Sequence, residues 1–249
     1  MKKLAFCAAA AAICGSLLAV ESANIVGYAN KTLQNGFVAT GANFVNANGA
    51  PMNLNDLKVV GYTDSSVEEV FLSKLDANGY AVGDILWAWI DLDDPDEGKF
   101  YGWYSDLGEG SDESLDIGEG VWIQAPSSAF SIQVSGQVYD QDLPIQLQQG
   151  FTMCANPAPI ATLNLNSAII SGYTDSSVEE VFLSKLDANG YAVGDILWAW
   201  LDLDDPDEGT FYGWYSDLGE GSDEPLGLGE AVWIQAPSSD YYVTFPTAL

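Results

Sequence analysis

Apolar residues along this chain come in short bursts. Residues 85–90 read Ile-Leu-Trp-Ala-Trp-Ile. Phe100-Tyr101-Gly102-Trp103-Tyr104, Val121-Trp122-Ile123-Gln124-Ala125, Phe130-Ser131-Ile132-Gln133-Val134 and Tyr241-Tyr242-Val243-Thr244-Phe245 follow the same rhythm. Each burst is too short for a stable helix and rich in residues that suit a pleated, half-buried surface. Turn chemistry separates them at Asp76-Ala77-Asn78-Gly79, Asp94-Pro95-Asp96-Glu97-Gly98 and Gly108-Glu109-Gly110. Short strands at such spacing predict an all-β sandwich or barrel. Trp87 and Trp89 share one face with Ile85, and Leu86, Ala88 and Ile90 take the other, so this strand is expected to be central and covered on both sides. Trp122, between Val121 and Ile123, is expected in the core.

Residues 65–75 admit two readings. Ser65-Ser66-Val67-Glu68-Glu69 has the form of a capping box, with Val67, Val70, Phe71 and Leu75 on one helical face. The same residues also serve as the first strand of a hairpin closed at Asn78-Gly79. The hairpin is preferred, because it gives residues 80–90 an antiparallel neighbour across a short loop.

A duplication organises the chain. Residues 61–128 recur as 172–239, offset by 111, with six differences in 68 positions: Ile90/Leu201, Lys99/Thr210, Ser114/Pro225, Asp116/Gly227, Ile117/Leu228 and Gly120/Ala231. Fainter echoes flank the window, where Leu33-Gln34-Asn35-Gly36-Phe37 answers Leu147-Gln148-Gln149-Gly150-Phe151 and Asn53-Leu54-Asn55 answers Asn164-Leu165-Asn166. Each unit is of ordinary domain size. The expected organisation is a leader at 1–19 followed by two tandem β-sandwich-like domains, 20–138 and 142–249. The polar run Tyr139-Asp140-Gln141-Asp142 lies between them.

The leader is read from Met1-Lys2-Lys3 followed by an apolar stretch from Leu4 to Val20, interrupted by Gly15 and Ser16. A basic start, a short apolar run and a small-residue exit at Leu17-Leu18-Ala19 describe a secretory signal peptide. The stretch is short and Ala-rich for a membrane span, and no later segment is long and apolar enough to be one. Cys7 and Cys14 would leave with the leader. Cys154 then has no disulfide partner and is expected to be a small buried residue.

Charge narrows the partners. The chain carries 36 acidic residues against seven lysines, two of them in the leader, with no Arg and no His, for a net charge of −29. Nucleic-acid binding depends on neutralising phosphates with Lys and Arg, so nucleic acid is excluded as a partner. Anionic membrane surfaces are repelled. Cations and basic partners suit the charge, and salt or bound ions would relieve its self-repulsion.

The start Val20-Glu21-Ser22-Ala23-Asn24-Ile25-Val26-Gly27-Tyr28 resembles that of uncharacterised secreted all-β proteins of verrucomicrobial-type bacteria. The later pattern is similar too: Gly102-Trp103-Tyr104-Ser105-Asp106 and Gly118-Glu119-Gly120-Val121-Trp122-Ile123, recurring as Gly213-Trp214-Tyr215-Ser216-Asp217 and Gly229-Glu230-Ala231-Val232-Trp233-Ile234. The resemblance implies an exported or surface all-β module. It brings no activity and no functional residues.

Candidate chemistry is limited by composition. Without His there is no imidazole base for a Ser or Cys nucleophile and no His-built metal site. Without Arg there is no bidentate anion clamp. A carboxylate pair of the glycoside hydrolase kind survives, with Asp91, Asp93, Glu109 and Glu119 and their copies as candidates, but a catalytic acid needs burial that wet loops do not provide. The expectation is therefore a non-catalytic structural or binding module, secreted or in the cell envelope, with no required cofactor.

Two ligand hypotheses accompany it. Asp91-Leu92-Asp93-Asp94-Pro95-Asp96-Glu97-Gly98 places five carboxylates in eight residues. Calcium takes six to eight oxygen ligands in flexible geometry. Asp91, Asp93, Asp94 and Asp96, with Asp202, Asp204, Asp205 and Asp207, are the candidate calcium ligands, although the spacing is not that of an EF-hand. All eight Trp lie in the repeats. Most are expected in the core. Trp103 with Tyr104, and Trp214 with Tyr215, lie beside an acidic loop and are the candidate glycan-stacking face.

Overall fold

The computed structural model describes residues 26–61, 70–91, 99–105, 107, 109–126, 130–158, 162–172, 179–189, 191–202, 210–216 and 218–246. Within 81–99 and 192–210 only the backbone of the strands is described. Among these residues the protein is all β, apart from two 3-10 turns at Leu54–Asp56 and Leu165–Ser167.

The first repeat supplies β1 (Val26–Thr32), β2 (Gly36–Gly41), β3 (Phe44–Val45), β4 (Met52–Asn53), β5 (Lys58–Val60), β6 (Val70–Leu75), β7 (Ala81–Asp91), β8 (Lys99–Tyr104), β9 (Ser114–Leu115), β10 (Gly120–Ala125) and β11 (Ser131–Val138). The second supplies β12 (Leu143–Gln146), β13 (Gly150–Ala155), β14 (Thr162–Asn164), β15 (Ile169–Ser171), β16 (Glu179–Leu186), β17 (Ala192–Asp202), β18 (Thr210–Tyr215), β19 (Pro225–Gly227), β20 (Ala231–Ala236) and β21 (Tyr242–Phe245). A five-stranded antiparallel sheet, β2-β10-β6-β7-β8, recurs as β13-β20-β16-β17-β18. A smaller sheet built on β1, β11, β3 and β5 recurs as β12-β21-β15.

The hairpin reading of residues 70–91 holds. β6 and β7 pair antiparallel from Val70↔Ala88 to Leu75↔Ala81, with a bulge between Leu72 and Lys74. Asp76 closes the turn. Its Oδ1 accepts from the backbone N–H of Asn78 and of Tyr80, both at 2.9 Å. These bonds, that from Tyr80 foremost, hold the Asp76 carboxyl below its ordinary range. β7 is flanked by β6 on one side and β8 on the other, as expected of a central strand.

Period-two alternation builds the cores. In β10, Val121, Ile123 and Ala125 are buried, and Trp122 and Gln124 point to the opposite face. One core draws Val70, Leu72, Val121 and Ile123 from the large sheet and Phe44, Val59, Ile132 and Val134 from the small one. An equivalent core in the second repeat includes Val181, Leu183, Val232, Ile234 and Val243.

Trp122 corrects the expectation of a core ring. It stands on the outer face of its sheet, half-buried, because the strand's alternation assigns the inner face to its neighbours Val121 and Ile123. That outer face is covered by the other repeat. Trp122 packs edge-on against Trp233, with ring centroids 5.8 Å apart. Phe37 lies 4.6 Å from Trp122, and Phe151 lies 5.3 Å from Trp233. A third apolar cluster, Ala39, Met153, Ala155 and Ala231, fills this seam between the repeats.

The seam has a pseudo-two-fold axis. Phe37 N–H donates to the Ala188 carbonyl at 2.7 Å, and Phe151 N–H donates to the Ala77 carbonyl at 2.7 Å. Gly41 N–H donates to Gly229 O at 3.2 Å, and Ala155 N–H to Gly118 O at 2.8 Å. Each repeat's edge strand, β2 or β13, is thus capped by the other's hairpin tip. The approach requires glycine at the strand start. Gly36 and Gly150 have φ of 101° and 98°, and a Cβ there would lie 2.1 Å and 2.3 Å from the carbonyl oxygens of Ala188 and Ala77.

Three of the six differences between the copies fall at this seam or in the turns beside it. A Cβ on Gly120 would sit 2.4 Å from Met153 Cγ. At the equivalent place Ala231 shares the seam cluster with Ala39, which occupies the position answering Met153. A large-small pair on one side is replaced by a small-small pair on the other. Gly120→Ala is therefore expected to destabilise the protein by about 1–3 kcal/mol. Adding Met153→Ala should recover part of that loss, giving a favourable coupling in a urea-denaturation double-mutant cycle. Strictly additive effects would contradict the packing.

Candidate functional site

The candidate glycan face is not built as expected. Trp103 and Trp214 are both fully buried, with no exposed surface. Trp103 Nε1 donates to Leu57 O at 2.9 Å, and Trp214 Nε1 donates to Ala168 O at 2.9 Å. Each ring meets a phenylalanine edge-on, Phe100 at 6.0 Å and Phe211 at 5.9 Å. These indoles are core pillars whose one polar atom is satisfied, which is how a buried Trp is tolerated. A bulge in β8 and β18, marked by a register shift against β7 and β17 and by positive φ at Gly102 and Gly213, breaks the alternation, so Trp103 and Trp214 face inward while Tyr101 and Tyr212 face water, 37% and 41% exposed. Tyr104 and Tyr215 are half-buried.

Asn55 and Asn166 hold the pillars, and the sequence reading did not single them out for that role. Asn55 Oδ1 accepts from Trp103 N–H at 2.7 Å, and its amide nitrogen donates to Ser111 O. Asn166 repeats both contacts with Trp214 N–H, at 2.7 Å, and Ser222 O. The 3-10 turns that carry them are capped by Asn53 and Asn164, whose side chains accept from the backbone N–H of Asn55 and Asn166. The available signal was Asn-Leu-Asn surviving in both copies where the flanking similarity fades. In the second repeat, Tyr212, Tyr215 and Asn166 border a shallow cavity of about 190 Å³.

The candidate calcium ligands fall largely outside the described residues. Asp93, Asp94, Asp96, Asp204, Asp205 and Asp207 lie there, and Asp91 and Asp202 are described only as the last backbone positions of β7 and β17. The β6–β7 hairpin tip lies at the seam, so Asp91, at the far end of an 11-residue strand, is carried roughly 35 Å along the strand direction. The duplication carries Asp202 outward in the same way.

The described carboxylates have structural work. Glu119 accepts from Asp116 N–H at 3.0 Å and pairs with Lys74 at 2.9 Å. Glu230 accepts from Gly227 N–H at 2.8 Å and lies 3.5 Å from Lys185 Nζ. Asp56 caps its 3-10 turn by accepting from Asn53 N–H at 2.9 Å. Lys74 and Lys185 also donate to the carbonyls of Ser114 and Pro225, so one lysine per repeat clips an acidic turn to the large sheet. Glu119 is one of the carboxylates considered for catalysis, and here it braces a turn.

Cys154 is buried, as expected. Burial alone pushes its thiol up to about 12. No helix among the described residues is long and apolar enough to cross a membrane.

Two outcomes follow. Trp214→Phe keeps most of the ring volume and leaves the Ala168 carbonyl without its donor. It should cost about 1–3 kcal/mol in urea denaturation and leave any response to saccharides unchanged. A thiol reagent at pH 8 should label Cys154 only after denaturant is added. Because the unfolded thiol ionises near its ordinary value while the native thiol keeps its proton, stability should fall as pH rises from about 9 towards 12. Fast labelling of the native protein would contradict the burial.

No protein-family model, curated protein or solved structure matches this chain.

Proposed function

We propose that the protein is an exported, non-catalytic structural or binding module, secreted or held in the cell envelope, made of two tandem β-sandwich-like units. The observation that carries this reading is the two-fold seam. It caps one edge of each large sheet and commits the indoles of Trp122 and Trp233 to packing. The indoles of Trp103 and Trp214 are committed to the cores. These four indoles therefore serve the frame, and the Glu119 and Glu230 carboxylates brace turns. The acidic runs 91–97 and 202–208 are then the remaining candidates for binding.

In this reading the partners are cationic, either divalent metal ions or a basic polymer. Two equivalent acidic ends on one frame would raise avidity for a repeating partner. The resemblance of the mature start and of the Gly-Trp-Tyr and Gly-Glu-Gly patterns to secreted all-β proteins agrees with it. A second reading, carbohydrate binding, now rests on Tyr212 and Tyr215 beside the shallow cavity of the second repeat instead of on the buried indoles.

The test is thermal unfolding in matched salts. Millimolar CaCl₂ is expected to raise Tm well beyond NaCl at equal ionic strength, with the gain lost in Asp91→Asn/Asp93→Asn/Asp202→Asn/Asp204→Asn. Equal shifts from the two salts would reduce the effect to screening. A Tyr fluorescence change on titrating oligosaccharides, absent in Tyr212→Ala, would move the assignment to the second reading.

A further inference from the structure

The seam is two-fold in its backbone and unequal in its side chains at one place. The turn at Gly118 is packed against β12, where a Cβ on Gly118 would lie 2.6 Å from both Leu143 Cδ2 and Ile145 Cδ1. A Cβ on the equivalent Gly229 would have Gly41 O, Thr40 Oγ1 and Asn43 Cγ as its nearest atoms, none closer than 3.5 Å. The positions answering Leu143 and Ile145 in the first repeat are Ala29 and Lys31. Ala29 packs against the first core, and Lys31 reaches Ala39 O with its amine. A cavity of about 280 Å³ remains, with Lys31, Thr32, Gln34, Leu186, Leu228 and Glu230 among its walls.

Lys31 is set apart from the other described lysines. Lys74 and Lys185 hold ion pairs, and Lys58 is exposed on β5. Lys31 is half-buried, and its Nζ donates to Ala39 O at 2.9 Å, which fixes the amine against the cavity wall. The walls combine apolar groups from Leu186 and Leu228 with hydrogen-bonding groups from Thr32, Gln34 and Glu230. A small polyhydroxylated molecule with one reactive carbonyl suits that mixture.

We propose that this cavity is a capture site for small aldehydes, including the open-chain form of aldoses, which Lys31 holds as a reversible imine. The Nζ lone pair adds to the carbonyl carbon, and the carbonyl oxygen gains a proton as the nitrogen loses one. The resulting carbinolamine expels its hydroxyl as water when the C=N bond forms. Amine and aldehyde give imine and water, with no net oxidation. Glu230 is the carboxylate lining the same cavity. Burial, opposed by the charge of Glu230, lowers Lys31 to about 8, so the neutral amine that the first step needs is present near neutral pH.

The test uses the full mature chain with glycolaldehyde and cyanoborohydride at pH 7.5, mapped by peptide mass spectrometry. Lys31 is expected to be alkylated at least tenfold faster than Lys58, and the preference should vanish in 8 M urea, where the cavity is gone. Lys31→Ile, which copies Ile145, should keep the native circular dichroism spectrum and remove the fast site alone. Labelling of Lys31 no faster than Lys58, a preference that persists in urea, or a fast adduct that survives in Lys31→Ile would each overturn the proposal.

Discussion

An edge strand is an unpaired row of backbone donors and acceptors, and the whole arrangement depends on how this protein covers two of them. Each large sheet ends on a strand, β2 or β13, that would otherwise invite another chain. The cover is a carbonyl from the opposite repeat's hairpin tip, delivered to Phe37 and Phe151. A glycine at the head of each edge strand lets that carbonyl approach. The outer faces of the two sheets then meet through Trp122 and Trp233. Satisfying backbone groups and burying indoles are achieved by the same docking step.

An isologous interface asks both sides for the same surface, and a duplicated chain meets that demand at once. The differences between the copies are informative because the backbone symmetry is otherwise kept. Gly120 with Met153 on one side and Ala231 with Ala39 on the other are two solutions to one packing problem. Leu143 and Ile145 pack against Gly118 on one side, whereas Lys31 lines a cavity on the other. The lysine there stands in a strongly acidic molecule whose other described cations lie in ion pairs or in open water.

Acidic excess shapes the rest. Lys74 and Lys185 each hold two carboxylates and a backbone carbonyl. Exposed pairs of this kind contribute only about 0–1 kcal/mol each, so their value lies in positioning the turns beside the seam.

The all-β class, the duplication and the hairpin at Asn78-Gly79 could be read from the chain, because short aromatic bursts, near-identical segments and turn residues are local signals. So could the burial of Cys154, a lone thiol without a partner. The direction of each indole could not. Trp103 beside an acidic loop reads as exposed and is fully buried, while Trp122 between two aliphatics reads as core and stands on the outer face. A strand's alternation fixes which residues share a face, but the pairing of sheets fixes which face is inside. The seam and its cavity were beyond sequence for a related reason. They join residues of one repeat to residues of the other, and their contacts exist only once one folded repeat meets the other.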